Sequence, residues 1–279
     1  METYAQDNSG FTLIELLIAI VISGILTGAI YKIIKVQQNS YLVQAEVAEM
    51  QQSLRAGLEA ITGEIRMAGY DPAGSNNFFI SDISLRDLNN SQDTSGDGSI
   101  EFHADFNGNG VIDSNETISY SLFDFPATNP SARDGIPDLA RNSGGGRQLL
   151  AENIQALGLA YSYDFDGDGR VDRSANNHVI WAIDSDNDGI LDKYLDTNDD
   201  GSIDASDAPG GAAPLPDGAV PGTAQIMGVR VWMLARAKHP DRSFSNTATY
   251  VVGPKHITPN DNIRRRLLET VVKCRNMGI

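Results

Sequence analysis

Residues 11–30 make an apolar run of twenty residues in which Glu15 carries the only charge. At 1.5 Å rise per residue, a helix of that length spans about 30 Å, the hydrocarbon thickness of a bilayer. A carboxylate inside such a segment costs about 2.5–3.5 kcal/mol in lipid, so Glu15 calls for a partner. Cleavage between Gly10 and Phe11 would create one: a new α-amino group at the same depth, on this subunit or on a neighbour packed beside it. The run does not read as a discarded secretory signal, because residues 1–10 are polar, the apolar stretch follows the junction, and no Ala-x-Ala site ends it. The helix is expected to be retained.

Helical periodicity continues past the run. Val43, Val47, Met50, Leu54, Leu58, Ile61 and Ile65 recur at spacings of three and four, while Gln44, Glu46, Glu49, Gln51 and Gln52 fill the other side. Gly69-Tyr70-Asp71-Pro72 is a terminator. The pattern predicts one helix over about 11–68, the first part in lipid and the second laid on a globular head. Two helices with a break near 37–41 are the alternative.

Beyond Pro72 the period changes to two. Ile118, Tyr120 and Leu122 alternate with serines; Leu157, Leu159, Tyr161, Tyr163 and Phe165 alternate with small or polar residues; Val229, Val231, Met233 and Ala235 alternate with Arg230 and Arg236; residues 266–275 alternate less cleanly. These are strands of an antiparallel sheet with one buried face. The predicted class is α+β: a long N-terminal helix, transmembrane in its first half, packed on an antiparallel β-sheet head. Residues 205–224, rich in Ala, Gly and Pro, read as a loose connection.

Charge is unevenly placed. The chain carries a net −16, yet residues 82–207 hold 25 acids against 7 bases and the remainder is nearly neutral. Nucleic acid is excluded as a partner, since phosphate binding needs clustered cations. The single cysteine, Cys274, rules out an intrachain disulfide and reads as a small buried residue. A secreted domain without disulfides needs another staple, and metal is one.

The acidic block supplies the residues. Five segments share one phase: Asp, Asn or Ser on alternate positions, then Gly, then an aliphatic residue two further on. Asp105, Asn107, Asn109, Gly110 and Glu116 satisfy the twelve-residue calcium-loop pattern in full, with Val111 offering its carbonyl, Asp113 a water-mediated contact and Ile112 an anchor to the core. Asp93, Ser95 and Asp97 open a second loop whose twelfth position is Ala104. Asp164, Asp166, Asp168 and Asp172 form a third, with Ala175 in the closing slot. Asp184, Asp186, Asp188 and Asp192 run straight into Asp196, Asn198, Asp200, Asp204 and Asp207, the last with aspartate closing as in dockerin loops. The tandem also resembles thrombospondin type 3 calcium repeats. Calcium wants six to eight hard oxygens, and alternate side chains converge on it only where a glycine lets the backbone turn sharply. The flanking segments look like strands, so strand-end loops are expected and not helix-flanked sensors. Acidic residues are also ordinary turn formers, but five loops in one phase and a self-repelling charge favour several Ca2+ sites of weak affinity, around 10⁻⁴–10⁻³ M.

Gly10-Phe11-Thr12-Leu13-Ile14-Glu15 followed by an unbroken apolar helix resembles the processing site of type IV prepilins and type II secretion pseudopilins. The resemblance implies cutting after Gly10 by a membrane prepilin peptidase, methylation of Phe11, and pairing of Glu15 with an amino terminus during filament assembly. One departure is that residues 1–10 contain Glu2 and Asp7 but no Lys or Arg. Further along, Arg66-Met67-Ala68-Gly69-Tyr70-Asp71-Pro72, Leu149-Leu150-Ala151-Glu152-Asn153-Ile154, Pro240-Asp241-Arg242 and Arg264-Arg265-Arg266 ending in Arg275-Asn276 are similar to PilW-type minor pilins. The implied organisation is a leader (1–10), a transmembrane and assembly helix (11–38), and a periplasmic or extracellular pilin head (39–279) holding the acidic calcium-loop region 93–207. The implied role is a rare subunit that initiates or caps a filament: a single-pass inner-membrane precursor that moves to the pilus or cell surface. A calcium-dependent adhesin at a pilus tip and a minor pseudopilin of type II secretion are the alternatives.

An enzyme is not expected. His103, His178, His239 and His256 show no metal-type spacing, no phosphate loop follows a strand, and Ser143-Gly144-Gly145-Gly146-Arg147 reads as a flexible hairpin. Arg264, Arg265 and Arg266 read either as a contact for anionic lipid or an acidic neighbour, or as a solvated strand start.

Overall fold

The computed structural model describes residues 11–85, 98–125, 135–212 and 214–277. The chain divides into two units, one ending at Glu46 and the other running Val47–Ile279. Helix α1 (Leu13–Ile65) is unbroken at 37–41, so the single-helix reading holds. Over residues 11–42 every side chain is exposed, including Ile18, Val21, Ile25 and Leu26. That is the pattern of a helix whose solvent is lipid or other helices.

In the second unit the predicted stripe is the buried one. Met50, Leu54, Ile61 and Ile65 are buried, with Val47 and Leu58 packed against the same cluster. Gly57, which weakens the helix in isolation, lies on this stripe: a Cβ there would meet Leu139, Ala151 and Met233 at 3.1–3.2 Å, so glycine lets the helix sit close to the strands. After Ile65 the chain tightens into a turn and stops at Gly69, whose φ of +76° permits its N–H to bond the His103 carbonyl.

Strands β1 (Ile80–Asp82), β2 (Ile100–His103), β3 (Thr117–Phe123), β4 (Asp138–Asn142) and β5 (Arg147–Ala151) form one antiparallel sheet in sequence order. A second sheet uses β6 (Ile154–Tyr163), β7 (Ala182–Ile183), β8 (Lys193–Tyr194), β9 (Ile226–Arg236) and β12 (Arg265–Lys273) in the order β12-β9-β6-β7-β8. Strands β10 (Tyr250–Val252) and β11 (Lys255–Ile257) make a separate hairpin. The class is α+β, as expected, but with two five-stranded sheets and a hairpin among the described residues where one sheet was predicted.

The prediction of a single buried face fails for β6 and β9. Leu157, Leu159, Val231 and Met233 face the helix core, while Ala156, Ala160, Trp232 and Leu234 join Val252, Ile183 and Leu195 in a second core. What covers this second face is the β10–β11 hairpin, and Gly158 admits it. A Cβ at 158 would lie 2.6 Å from both the Val252 carbonyl carbon and the Gly253 nitrogen. Nor is 205–224 a loose connection: Gly210 N–H bonds the Pro254 carbonyl, Ala212 N–H that of Tyr194, Leu191 N–H that of Pro221, and Leu215 is buried.

Candidate metal loops and the N-terminal helix

Four of the five acidic loops lie among the described residues, and each begins within two residues of a strand end. Loop 105–116 joins β2 to β3, Asp164 follows β6, Asp184 follows β7 and Asp196 follows β8. Among the described residues no helix flanks them, as predicted. Asp93, Ser95 and Asp97 lie outside the described residues, as does Gly10.

The four loops share one internal scaffold. The first aspartate is buried in each: Asp105, Asp164, Asp184 and Asp196. Its Oδ1 accepts the N–H of the fifth residue, Asn109 at 3.1 Å, Asp168 at 3.2 Å, Asp188 at 3.2 Å and Asp200 at 3.1 Å. Its Oδ2 accepts the N–H of the sixth, Gly110 at 3.0 Å and Gly169, Gly189 and Gly201 at 2.8 Å. Aiming those N–H groups inward requires positive φ at position six and also at position four: Gly108 (+75°), Gly167 (+75°), Asn187 (+63°) and Asp199 (+53°). Position four escaped the sequence reading, although its signal is visible: only Gly, Asn or Asp stands there, the residues that tolerate this conformation.

Closure divides the loops into two kinds. Loops 105 and 196 close at position twelve: Asp113 N–H donates to Glu116 Oε2 (3.0 Å) and Asp204 N–H to Asp207 Oδ2 (2.9 Å), both acceptors buried. Loops 164 and 184, which lack an acid there, close at position nine. Phe165 N–H donates to Asp172 (3.1 Å), and Ser185 N–H and Oγ–H donate to Asp192 (2.7 and 2.6 Å). Ile112 is half-exposed and does not anchor its loop, whereas its counterpart Leu191 is fully buried. Loop 105 is held instead by its buried acids and by the Ser143–Arg147 turn, where a Cβ on Gly144 would come within 2.2 Å of the Ser114 carbonyl oxygen; that turn is fitted against the loop.

Carboxylate crowding does not follow the completeness of the motif. In loop 105 the amide groups of Asn107 and Asn109 both donate to Asp113 Oδ2, at 2.7 and 3.0 Å, and Val111 N–H to Asn109 Oδ1 at 2.7 Å. In loop 196 the Asn198 amide bonds Asp200 and Ser206, and Ser206 donates to Asp204 through N–H and Oγ–H, holding that carboxyl below the usual range. Loops 164 and 184 differ: oxygens of Asp164, Asp166 and Asp172, and of Asp184, Asp186 and Asp188, lie within 4.8 Å of one another. Burial, then the charges of Asp166, Asp164 and Asp168, pushes the Asp172 carboxyl up despite the Phe165 N–H. Burial, with the Asp188 charge added, likewise raises Asp184 against three N–H donors. Such a cluster favours protons or a cation, and its all-oxygen donors fit calcium better than a soft metal.

Tertiary structure also builds a mixed cluster that no spacing foretold. An imidazole nitrogen of His178 and carboxylate oxygens of Asp196 and Asp199 lie within 4.8 Å of one another. His178 Nδ1 faces the Asp199 carbonyl (3.1 Å) and Oδ1 (3.2 Å), both acceptors, so Nδ1 carries the hydrogen. Asp199 also accepts Ser174 Oγ–H and Asn176 N–H, which ties loop 196 to the turn after loop 164. Two of the three consecutive arginines are bonded within the head, and Arg266 is exposed. Arg264 pairs with Asp241 (2.8 Å), and the nearly buried Arg265 pairs with Asp261 (2.7 Å) and Gln155 (2.6 Å).

At the N-terminus Glu15 is not unpartnered. Thr12 N–H and Oγ–H donate to its Oε2 at 2.9 and 2.8 Å, and Glu15 N–H bonds back to Thr12 Oγ1 at 3.3 Å. Thr12-x-x-Glu15 is a capping box, readable in the sequence and overlooked there. It satisfies orphan N–H groups of the helix but leaves the negative charge uncancelled, so a cation still finds a role. Phe11, ahead of the cap, is almost fully exposed.

A family model for type IV pilus-assembly protein W matches residues 131–276, and a prokaryotic N-terminal methylation motif matches residues 6–31. The fold is similar to that of a type IV-like pilin from Thermus thermophilus, at 11% identity over 82% of this chain and 98% of that one, with a TM-score of 0.42. No curated protein matches the chain.

Proposed function

Since this chain belongs to the type IV pilus-assembly protein W family, we propose that it is a minor pilin, cut after Gly10 by prepilin peptidase, methylated at Phe11 and built into a filament through residues 11–38. The observation that carries this reading is the N-terminal stretch of α1, exposed on every side as far as residue 42 and apolar over residues 11–30, within a matched methylation motif. Before assembly the helix holds the precursor in the inner membrane; afterwards it packs among other pilins with Glu15 beside an amino terminus. The head lies in the periplasm or outside the cell and has a structural role in pilus assembly or priming. Peptide mapping of the filament-borne protein should begin at a methylated Phe11; a retained residue 1–10 segment would overturn the assignment.

Calcium is the second half of the proposal. Asp164, Asp166 and Asp172 in one loop and Asp184, Asp186 and Asp188 in the next would hold an ion each, and the loops would then order fully only after export, where calcium is plentiful. At 2 mM calcium and a dissociation constant of about 10⁻⁴–10⁻³ M, each loop adds about 0.6–1.8 kcal/mol. Full-length protein in detergent micelles should show a calcium-dependent rise in thermal midpoint, reversed by chelator, with at least two ions counted at saturation. An unmoved midpoint at millimolar calcium would rule this role out.

A further inference from the structure

Residues 107–110 read Asn-Gly-Asn-Gly, the only Asn-Gly pairs in the chain. Glycine leaves its own nitrogen sterically open to the preceding side chain, which makes such pairs the junctions most prone to succinimide formation. Both asparagines are exposed. We propose that Asn107 and Asn109 are a spontaneous modification site: two side-chain amides that the closed 105–116 loop protects, that the opened loop loses to hydrolysis, and whose conversion turns a self-closed loop into one that requires a divalent cation.

The step balances with water as the only co-reactant. The Gly108 nitrogen attacks Cγ of Asn107; an N–Cγ bond forms, the Cγ–Nδ2 bond breaks, and ammonia leaves with the amide proton. Water then opens the succinimide at either carbonyl, giving an aspartyl or isoaspartyl residue. Gly110 acts on Asn109 in the same way.

In the closed loop both nucleophiles are occupied. Gly108 N–H donates to Asp105 Oδ1 at 2.6 Å and Gly110 N–H to Oδ2 at 3.0 Å, and this buried carboxylate opposes the deprotonation that attack needs. Both electrophiles are turned away as well. Asn107 Oδ1 accepts Asn109 N–H at 2.9 Å and Asn109 Oδ1 accepts Val111 N–H at 2.7 Å, so each amide is bonded to the residue two further on and not presented to the adjacent glycine.

Conversion changes what closes the loop. The two amide groups supply the donors that meet Asp113 Oδ2, at 2.7 and 3.0 Å. Exchanging either for a carboxylate deletes a donor and places two anions at hydrogen-bond distance. The loop then has acidic side chains at positions one, three, five and nine, as loops 164 and 184 do.

The test follows full-length protein in detergent micelles at neutral pH, reading the one-dalton gain at 107 and 109 by peptide mass spectrometry in native buffer and in urea. Protection by local closure should make the native rate at least about tenfold slower than the rate in urea; equal rates would overturn the protective geometry. The double variant Asn107→Asp/Asn109→Asp should melt below wild type in chelator and recover in calcium. An unchanged midpoint in chelator, or a failure to recover in calcium, would overturn the predicted cation requirement. Calcium held by loops 164 and 184 would raise variant and wild type alike, so recovery is read as the narrowing of the gap between the two proteins.

Discussion

Replacing Asp184 by asparagine should stabilise the calcium-free head at neutral pH, although the native carboxylate accepts three backbone N–H groups. Its Oδ1 takes Asn187 N–H (2.6 Å) and Asp188 N–H (3.2 Å), and its Oδ2 takes Gly189 N–H (2.8 Å). A protonated aspartic acid and an asparagine are nearly isosteric here: each keeps one acceptor oxygen and turns a donor toward Gly189. Wild type and Asp184→Asn should therefore match in stability at low pH. They part as wild type ionises. Burial and the Asp188 charge hold the folded carboxyl above its ordinary 3.8, so above that pH the native state keeps a proton that the unfolded chain has released. Wild-type stability consequently falls as pH rises through this window, and the loss persists to neutrality. Each pH unit of elevation is worth at most about 1.4 kcal/mol, and hydration of the exposed neighbours reduces the advantage of Asp184→Asn to about 0.5–1 kcal/mol. For a head of this size that is about 1–4 °C in Tm. His103, whose pKa is lowered by burial, titrates alike in both proteins and cancels in the difference. Urea unfolding in chelator, followed through the fluorescence of Trp181 and Trp232, gives the gap at each pH, and added calcium should reverse its sign. A variant less stable than wild type at neutral pH, with a gap that pH does not move, would show that Asp184 is an ordinary turn cap and that the loop has no use for an ion.

Gly158→Ala should destabilise the head by about 1–3 kcal/mol, because its methyl group displaces the Val252–Gly253 backbone; faster amide exchange in β10 and a lower Tm would register it. Glu15→Gln keeps a capping box but removes the charge, so incorporation into sheared filaments, read by immunoblot, should fall; unchanged incorporation would mean that capping alone explains Glu15. The Asp241 pKa is lowered to about 2, most by the Ser243 Oγ–H and N–H bonds and then by the Arg264 pair. The pair's contribution is complete above pH 3.8 and disappears as pH falls toward 2, so the stability gap between wild type and Arg264→Met should close over that interval.

Much of the fold was legible because local chemistry agreed with it. The Leu13–Ile65 helix shows in an apolar run followed by a stripe at spacings of three and four, and the turn after it stops at Gly69, whose φ is positive. Strands β3, β6, β9 and β12 followed from period-two alternation. The second core was not visible: Ala156, Ala160 and Gly158 read as the weak face of β6, yet small residues are what let a hairpin lie against it. The calcium-type loops were legible in phase but not in rank. Motif completeness favoured loop 105, whereas hydrogen bonding shows its asparagines closing it internally and leaves the crowded carboxylates in loops 164 and 184.

Sequence alone determined the properties that depend on neighbours along the chain: helix length, the lone acid in the apolar run, turn residues at fixed offsets, and the methylation motif. Folding decided the properties that depend on distance through space. It paired Arg264 with Asp241, brought His178 to Asp196 and Asp199, and selected position nine or position twelve to close each loop. The physical reason is that carboxylate oxygens interact over a few ångströms and burial disfavours their charged form, and neither separation nor burial is written in the spacing of residues.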